Sequence, residues 1–398
     1  MELLSPAGNF EKLKAAVTFG ADAVYFGGNS FGLRASAGNF DFDTMAEAIK
    51  YLHDRGKKGY LTVNVFANTS ELDDIEKYLK TVSDIGVDGL IVSDPGIFYT
   101  AKKSGIKTPI SISTQANTTN LAAVNFWAEL GANRVIMARE VTAKDLESTI
   151  AKANCEVEVF IHGAICISMS GRCLISSYMT GRNANKGECT HPCRWNYSLV
   201  EETRPGEYYP VYEDEKGSYL YNSKDLMLLD KIGELERIGV KSGKIEGRMK
   251  SVMYVSVVTG VYRAAIDRAM KDPENYKSEE SWKMLLHSIS NRGYTEGFFG
   301  GDSDSSSMNR DTGGYKRGAD FLGVIEKSID NEIFISARAK FTAGEKISIL
   351  DPNLNKIDIT PDIIYDENYS PVENTRPNYK YRIKFDKKID TGALLMRF

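Results

Sequence analysis

Long apolar runs are absent from this chain of 398 residues. Nowhere do 18 apolar residues follow one another, which is the length a bilayer-spanning helix needs. The opening, MELLSPAGNFEKLK, has no basic segment followed by an apolar one. Neither a secretory leader nor a membrane anchor is expected, and the expected compartment is the cytoplasm. An excess of one charge is lacking too. Fifty Lys and Arg stand against 54 Asp and Glu, a formal net charge of −4, so the whole chain exerts no attraction on a polyanion. Neither DNA nor a membrane is expected as a partner, and any hold on nucleic acid must come from a local basic patch. Histidine is scarce: His53, His162, His191 and His287 are the four, and they form no H-E-x-x-H pair, the arrangement zinc proteases use. Ser168 and Ser170 lack the first glycine of a G-x-S-x-G elbow,. No G-x-G-x-x-G follows a strand, which argues against a dinucleotide fold,.

What is present is a regular alternation of short β-branched or aromatic runs with stretches of three- and four-residue apolar spacing. The runs are 2–4, 23–26, 59–66, 89–92, 110–113, 134–137, 157–161 and 240–245. Eight strands, most separated by one helix, predict a (β/α)8 TIM-type barrel, with its functional residues at the C-terminal ends of the strands. The barrel should occupy residues 1–299, with an insertion at 162–239 after strand 7 that is far longer than an ordinary loop. That insertion holds four of the five cysteines, then a hairpin across 208–221 and an amphipathic helix near 226–238. Further helices are expected at 252–270, apolar on one side, and at 281–289. The polar stretch 300–314 reads as a flexible linker. The period-two segments 332–338, 346–350 and 379–385 then predict a small all-β C-terminal domain, a β-barrel at 315–398.

Only five cysteines occur, and four of them, Cys166, Cys173, Cys189 and Cys193, fall within 28 residues with spacings x6, x15 and x3. In a reducing compartment such a group binds metal more often than it forms disulfides. Zinc and an iron–sulfur cluster both suit four thiolates. The wide first spacing favours the cluster over paired zinc knuckles, with His191 as a fourth zinc ligand in the other case. Cys155 lies outside the group and reads as a small core residue.

The run from Glu158 to Cys166, then Gly171-Arg-Cys173-Leu-Ile175-Ser176, resembles the signature of the peptidase U32, or collagenase-like, family. ELLSPAGN with GADAVYFGG, KIEGRMKS before Tyr254 and NRGYTEGF near Tyr294 resemble further landmarks of that family. The resemblance spans roughly residues 1–300. Size and cysteine pattern are most similar to the branch that makes 5-hydroxyuridine at the wobble position of tRNA using prephenate; other members hydroxylate a ribosomal RNA cytidine. It implies a four-iron cluster on the four cysteines, prephenate as co-substrate, tRNA as partner and a paralogous protein as a second partner. A collagenase-like peptidase, or a non-catalytic cluster-bearing subunit of a hydroxylation complex, is the alternative. A cysteine nucleophile paired with His162 would compete with cluster ligation for Cys166.

The expected strand ends bring Ser5, Gly27, Asn64, Asp94, Gln115, Arg139, His162 and Lys244 with Glu246 around one mouth. A dicarboxylate needs fixed cations there, which Arg139, Lys244 and Arg248 offer. Lys244 and Arg248 can equally serve a structural network with Glu246. Gln115, His162 and Glu246 complete the expected substrate-binding set. Arg172, Arg182 and Arg194, with Lys186, Tyr178 and Trp195 interleaved, form the expected RNA-facing patch.

Overall fold

The computed structural model describes residues 1–33, 39–166, 223–301 and 315–398, together with 168, 182, 188–190 and the segments 175–180, 199–200, 208–209, 212–214 and 217–219. Seven parallel strands pair in chain order: β1 (Glu2–Pro6), β2 (Ala23–Gly27), β3 (Lys58–Val63), β4 (Gly89–Val92), β5 (Ile110–Ile112), β6 (Arg134–Ile136) and β7 (Glu156–Ala164). A short strand, β8 (Asp225–Met227), runs antiparallel along the end of β7. The eighth barrel strand, β9 (Ser242–Ile245), pairs in parallel with both β7 and β1 and closes the barrel. All eight expected strands are present, each end within three residues of its expected place. Their near-continuous apolar runs follow from burial on both faces, by side chains within and helices without.

The outer helices are α1 (Phe10–Thr18), α2 (Phe42–His53), α3 (Leu72–Ile85), α4 (Pro95–Lys103), α5 (Leu121–Glu129) and α6 (Ala143–Ile150), with α7 (Ile175–Thr180) and α8 (Ile232–Arg237) following β7. Asn9, Asp41, Asp94, Asn120 and Thr142 cap α1, α2, α4, α5 and α6 by accepting from the third helical amide, which satisfies an otherwise orphan donor. The helix expected near 226–238 is divided into β8, a 3-10 turn at Leu229–Lys231 and α8. Pairing with β7 claims Leu226 for the sheet, a tertiary demand that helical spacing does not reveal.

After β9 comes α9 (Val252–Lys271), then α10 (Glu280–Ser288) and β10 (Tyr294–Thr295), which runs parallel to β8. Expected to be apolar on one side, α9 is instead buried at every residue from Val252 to Tyr262. The C-terminal domain covers its outer side. A Cβ on Gly260 would lie 2.8 Å from Leu354 and 3.0 Å from Phe19, Arg338 pairs with Glu11 at 2.6 Å, and Leu350, Leu394 and Met396 join the barrel's hydrophobic cluster.

That domain contains β11 (Asp320–Ile329), β12 (Glu332–Ala337), β13 (Ile347–Leu350), β14 (Lys356–Ile359), β15 (Ile364–Tyr365), β16 (Pro371–Val372), β17 (Lys380–Lys384) and β18 (Leu394–Arg397). They form one antiparallel sheet in the order β14-β13-β18-β11-β12-β17-β15-β16. Among the described residues no pair closes it, where a small barrel was expected. The sheet curls around its own core of Leu322, Ile325, Ile333, Ile335, Ile349, Ile383 and Leu395. Most of the expected linker, 302–314, lies outside the described residues.

The barrel interior is charged near its N-terminal end. Glu2, Ser242 and Glu158 are opposed across β1, β9 and β7. Arg134 reaches Glu2 at 2.7 Å, Glu156 at 2.7 Å and Glu158 at 3.0 Å. Glu158 also accepts from Lys244 at 3.1 Å, and Glu2 from Tyr60 at 2.9 Å. With Glu158 and Lys244 both buried, loss of one partner strands the others. Glu158→Gln is therefore expected to lower the unfolding free energy by about 3–5 kcal/mol. Urea titration should find the double variant Glu158→Gln/Lys244→Met less damaged than the two single losses summed.

Candidate functional site

Lys244 stands one inward-facing level above Glu158, level with Leu4 and Phe160. Its ammonium lies 4.4 Å from the Tyr25 ring centre and 5.6 Å from that of Phe160. Burial pulls it below the ordinary lysine value, and the attraction of Glu158 only partly opposes this,. One level higher is the mouth. There the Arg139 guanidinium lies 3.8 Å from the Phe160 ring centre and 3.7 Å from a Glu246 carboxylate oxygen. At that separation the ion pair is loose, so Arg139 retains donors for a second anion. Tyr25 donates to the Ile245 carbonyl at 3.0 Å and approaches Glu246 at 3.5 Å, which fixes the loop after β9.

Arg248 reaches back across the same mouth. It donates to the Leu33 carbonyl at 2.9 Å, the Thr62 hydroxyl at 3.0 Å and the Asn39 amide oxygen at 2.7 Å. Its seat exists because Gly27 has no side chain: a Cβ there would fall 2.3 Å from the guanidinium. Gln115 accepts from Asn64 at 3.0 Å and from Ser93 at 3.4 Å, and Asn64 accepts from the Leu33 amide at 3.1 Å. Arg139, Lys244, Glu246, Arg248, Gln115 and Asn64 are thus gathered around the upper barrel.

Three expected mouth residues lie elsewhere. Ser5 faces outward and bonds Thr259 of α9 at 2.7 Å. Asp94 is the cap of α4, accepting from the Ile97 amide at 3.0 Å. His162 is turned out by a β-bulge: Lys244 faces Phe160, but Ile245 faces His162,. Its ring is walled by Tyr254, Tyr262 and Tyr294, with centroids 5.9, 5.4 and 5.3 Å away. Tyr262 donates its own proton to the Ile161 carbonyl at 2.9 Å, so at 3.3 Å from His162 Nδ1 it must accept. That assigns the proton to Nδ1 and leaves Nε2 a buried acceptor with no hydrogen-bond partner among the described residues,. Beside this box, Arg292 forks onto Asp225 at 2.7 and 3.0 Å while its amide donates to the other oxygen at 3.2 Å. Burial opposes ionisation of Asp225, but Arg292 and Lys250 outweigh it and hold the carboxyl below the usual range. This pair, 67 residues apart in the chain, carried no sequence signal beyond the NRGY landmark.

Of the four clustered cysteines, Cys166 and Cys189 are described, both half-buried; Cys173 and Cys193 lie outside the described residues. Cys166 follows β7 directly. The segment bearing Cys189 is tied to α7, which begins two residues after Cys173: the Thr190 amide donates to Ser176 at 3.1 Å, and Thr190 meets Thr180 at 3.2 Å. Thiols are the donor type that a zinc ion or an iron–sulfur cluster takes, and among the described residues two of the four, Cys166 and Cys189, are placed. Arg182 is exposed; Arg172, Lys186, His191, Arg194 and Trp195, and the side chain of Tyr178, lie outside the described residues. One G-x-S-x-G match that the cysteine segment does not contain is Gly28-Asn-Ser30-Phe-Gly32. Its Ser30 is exposed after β2 and bonds no histidine among the described residues. His53 pairs with Asp88 at 3.0 Å on the surface.

Residues 8–309 match the model of peptidase family U32, and residues 317–397 that of the peptidase family U32 C-terminal domain. The tRNA hydroxylation protein P1 of Bacillus subtilis is 37% identical over 100% of this chain and 94% of its own. The 23S rRNA 5-hydroxycytidine C2501 synthase of Escherichia coli is 34% identical over 68% of this chain and 40% of its own. A collagenase of Porphyromonas gingivalis is 29% identical over 100% of this chain and 97% of its own.

Burial lowers the His162 pKa to about 3; Asp225 opposes the shift and Lys250 adds a smaller push in the same direction. The unfolded chain binds this proton near pH 6.5 and the folded chain does not, so the stabilisation is whole above that pH and is lost as pH falls toward 3. Between pH 7 and pH 5 the loss is about 2 kcal/mol. Urea titrations at the two pH values should show this increment in the native chain and its absence in His162→Phe.

Proposed function

The chain belongs to peptidase family U32, and from that membership we propose that it is an RNA-hydroxylating enzyme that installs a hydroxyl at the wobble uridine of tRNA. The observation that supports this most is the 37% identity, across the whole chain, to a tRNA hydroxylation protein. The hydroxyl comes from prephenate, a dicarboxylate, rather than from oxygen. A base splayed from its stack enters the barrel mouth, where Gln115 and Glu246 offer hydrogen-bonding edges. Arg139 takes a carboxylate of the donor, its weak hold on Glu246 at 3.7 Å leaving it open to a better-placed anion,. Arg248 and Lys244 add positive potential from below. His162 serves as the packed wall behind the mouth, not as a contact to substrate.

Cys166, Cys173, Cys189 and Cys193 would hold a 4Fe–4S cluster, with zinc as the alternative occupant. When bound, the cluster supplies one-electron transfer beside the mouth. Arg172, Arg182 and Arg194 follow the RNA backbone, and a paralogous chain is the expected protein partner. Peptidase chemistry has the collagenase relative in its favour. Against it stand Ser30 with no histidine partner among the described residues, and a His162 sealed from any polypeptide substrate.

Mass spectrometry of tRNA nucleosides from a strain lacking this protein and any paralogue tests the reading. Loss of 5-hydroxyuridine derivatives is expected; unchanged levels together with hydrolysis of a protein substrate by the purified chain would reassign it to the peptidases. Complementation with Arg139→Gln should reduce modification roughly ten- to a hundredfold while leaving tRNA binding and melting temperature unaltered.

Each single Cys→Ser change at the four positions should remove iron and sulfide from anaerobically purified protein. Stoichiometric zinc with no iron would assign the site to zinc.

A further inference from the structure

The solvent face of the C-terminal sheet alternates cations with aromatic rings. Lys327 of β11 lies opposite Phe334 of β12, Phe334 opposite Arg382 of β17, and Arg382 opposite Tyr365 of β15. Their strand neighbours Ile333, Ile335, Tyr381, Ile383 and Ile364 fill the core, so the period of two turns this row outward. The contacts are close. Lys327 Nζ sits 4.3 Å from the Phe334 ring centre, and the Arg382 guanidinium 5.1 Å from Phe334 and 4.9 Å from Tyr369. Tyr369 extends the row, stacked on Tyr365 at 4.6 Å with an interplanar angle of 12°.

Tyr369 is held there at a cost. Its φ is +63°, a left-handed conformation that a bulky residue rarely adopts. The turn that imposes it is built by Asp366, whose carboxylate accepts from the amides of Asn368 and Ser370, both at 2.9 Å. The ring itself is 48% exposed. About half of the ring stays in water, so the strain is offset only in part, by the Tyr365 stack, the Arg382 guanidinium and the Glu332 hydrogen bond,. Three acids border the row: Glu332 accepts from the Tyr369 hydroxyl at 2.9 Å, Glu326 pairs with Lys380 at 3.0 Å, and Glu367 lies exposed near Lys380.

We propose that this face is a stacking surface for unpaired nucleotides of the RNA substrate, with Phe334, Tyr365 and Tyr369 against bases and Lys327 and Arg382 against phosphates. The proposal rests on the reading of the chain as an RNA-modifying enzyme and adds where the RNA is held. A polyanion that repeats base and phosphate matches a row that repeats ring and cation. A protein partner matches it less well, because lysine is depleted from protein interface cores and Lys327, Lys380 and Lys384 all lie exposed on this face.

The test is fluorescence anisotropy of the full chain with labelled oligouridine, and with tRNA from the deletion strain. Tyr369→Ala and Arg382→Gln should each weaken oligouridine binding roughly five- to 150-fold at unchanged melting temperature. Tyr369→Phe, which keeps the ring, should bind as the native chain does, and Lys327→Gln should lower the salt dependence by about one phosphate. Native-like binding by Tyr369→Ala and Arg382→Gln overturns the proposal. So does a shift from oligomer to monomer in those variants, which would make a second copy the occupant. The two readings fail separately. If these variants bind and modify normally while the deletion strain lacks 5-hydroxyuridine, only the surface is wrong; if the native chain binds no RNA and the nucleoside persists, the hydroxylase reading is wrong.

Discussion

Glu158 is the residue on which the barrel's interior depends. It is buried between Arg134 at 3.0 Å and Lys244 at 3.1 Å, where most barrels place branched aliphatic side chains. Charges taken out of water are tolerated only when each meets its partners in good geometry, so this chain of contacts dictates the register of three strands. Glu2 must enter at the level of Glu158, Arg134 one level below, opposite Glu156, and Lys244 one level above. A slip of one residue in β9 would turn Lys244 into the helical layer. The same constraint reaches the mouth, because Phe160 lies beside both Lys244, at 5.6 Å, and Arg139, at 3.8 Å.

The second constraint is α9, which belongs to two cores at once. On one side its tyrosines close over His162 and the bulge in β7; on the other, Gly260 lets Leu354 approach the helix axis. The C-terminal sheet is therefore fastened to the helix that backs the barrel mouth, and Arg338 to Glu11 makes a second attachment at α1. Any ligand carried on that sheet is held at a definite distance from the mouth, without a site between the two.

The eight strands were legible because a parallel strand buried on both faces must be apolar throughout, a pattern that survives without any knowledge of its neighbours. Arg139 and Arg248 were legible as residues just beyond strand ends, and Lys244 as one near the end of β9. His162 was not, since a bulge shifts the alternation by one residue and leaves no mark in composition. Leu226 was claimed by a cross-strand partner, and the outer side of α9 by a domain that begins some fifty residues later. The Asp225–Arg292 pair and the Phe334–Arg382 row are products of topology: each residue alone is ordinary, and only pairing brings them together. The serine motif at Gly28–Gly32 illustrates the reverse case, a pattern present in the chain to which the fold gives no catalytic neighbour among the described residues.

Net charge then narrows where RNA can be held. A chain at −4 repels a polyanion at long range, so binding must come from cations that carboxylates do not already neutralise. Inside the barrel the cations are mostly committed: Arg134 touches three glutamates and Lys244 touches Glu158; behind the barrel wall Arg292 is likewise forked onto Asp225. Arg139, at 3.7 Å from its acid, can answer one small anion at the mouth but not a backbone. If the chain holds RNA as proposed, its phosphates are met outside the barrel interior, and the ring-bearing face of the C-terminal sheet carries cations suited to them. Charges committed to holding the fold inside the barrel would then leave the mouth to a small anion and the grip on the macromolecule to the surface.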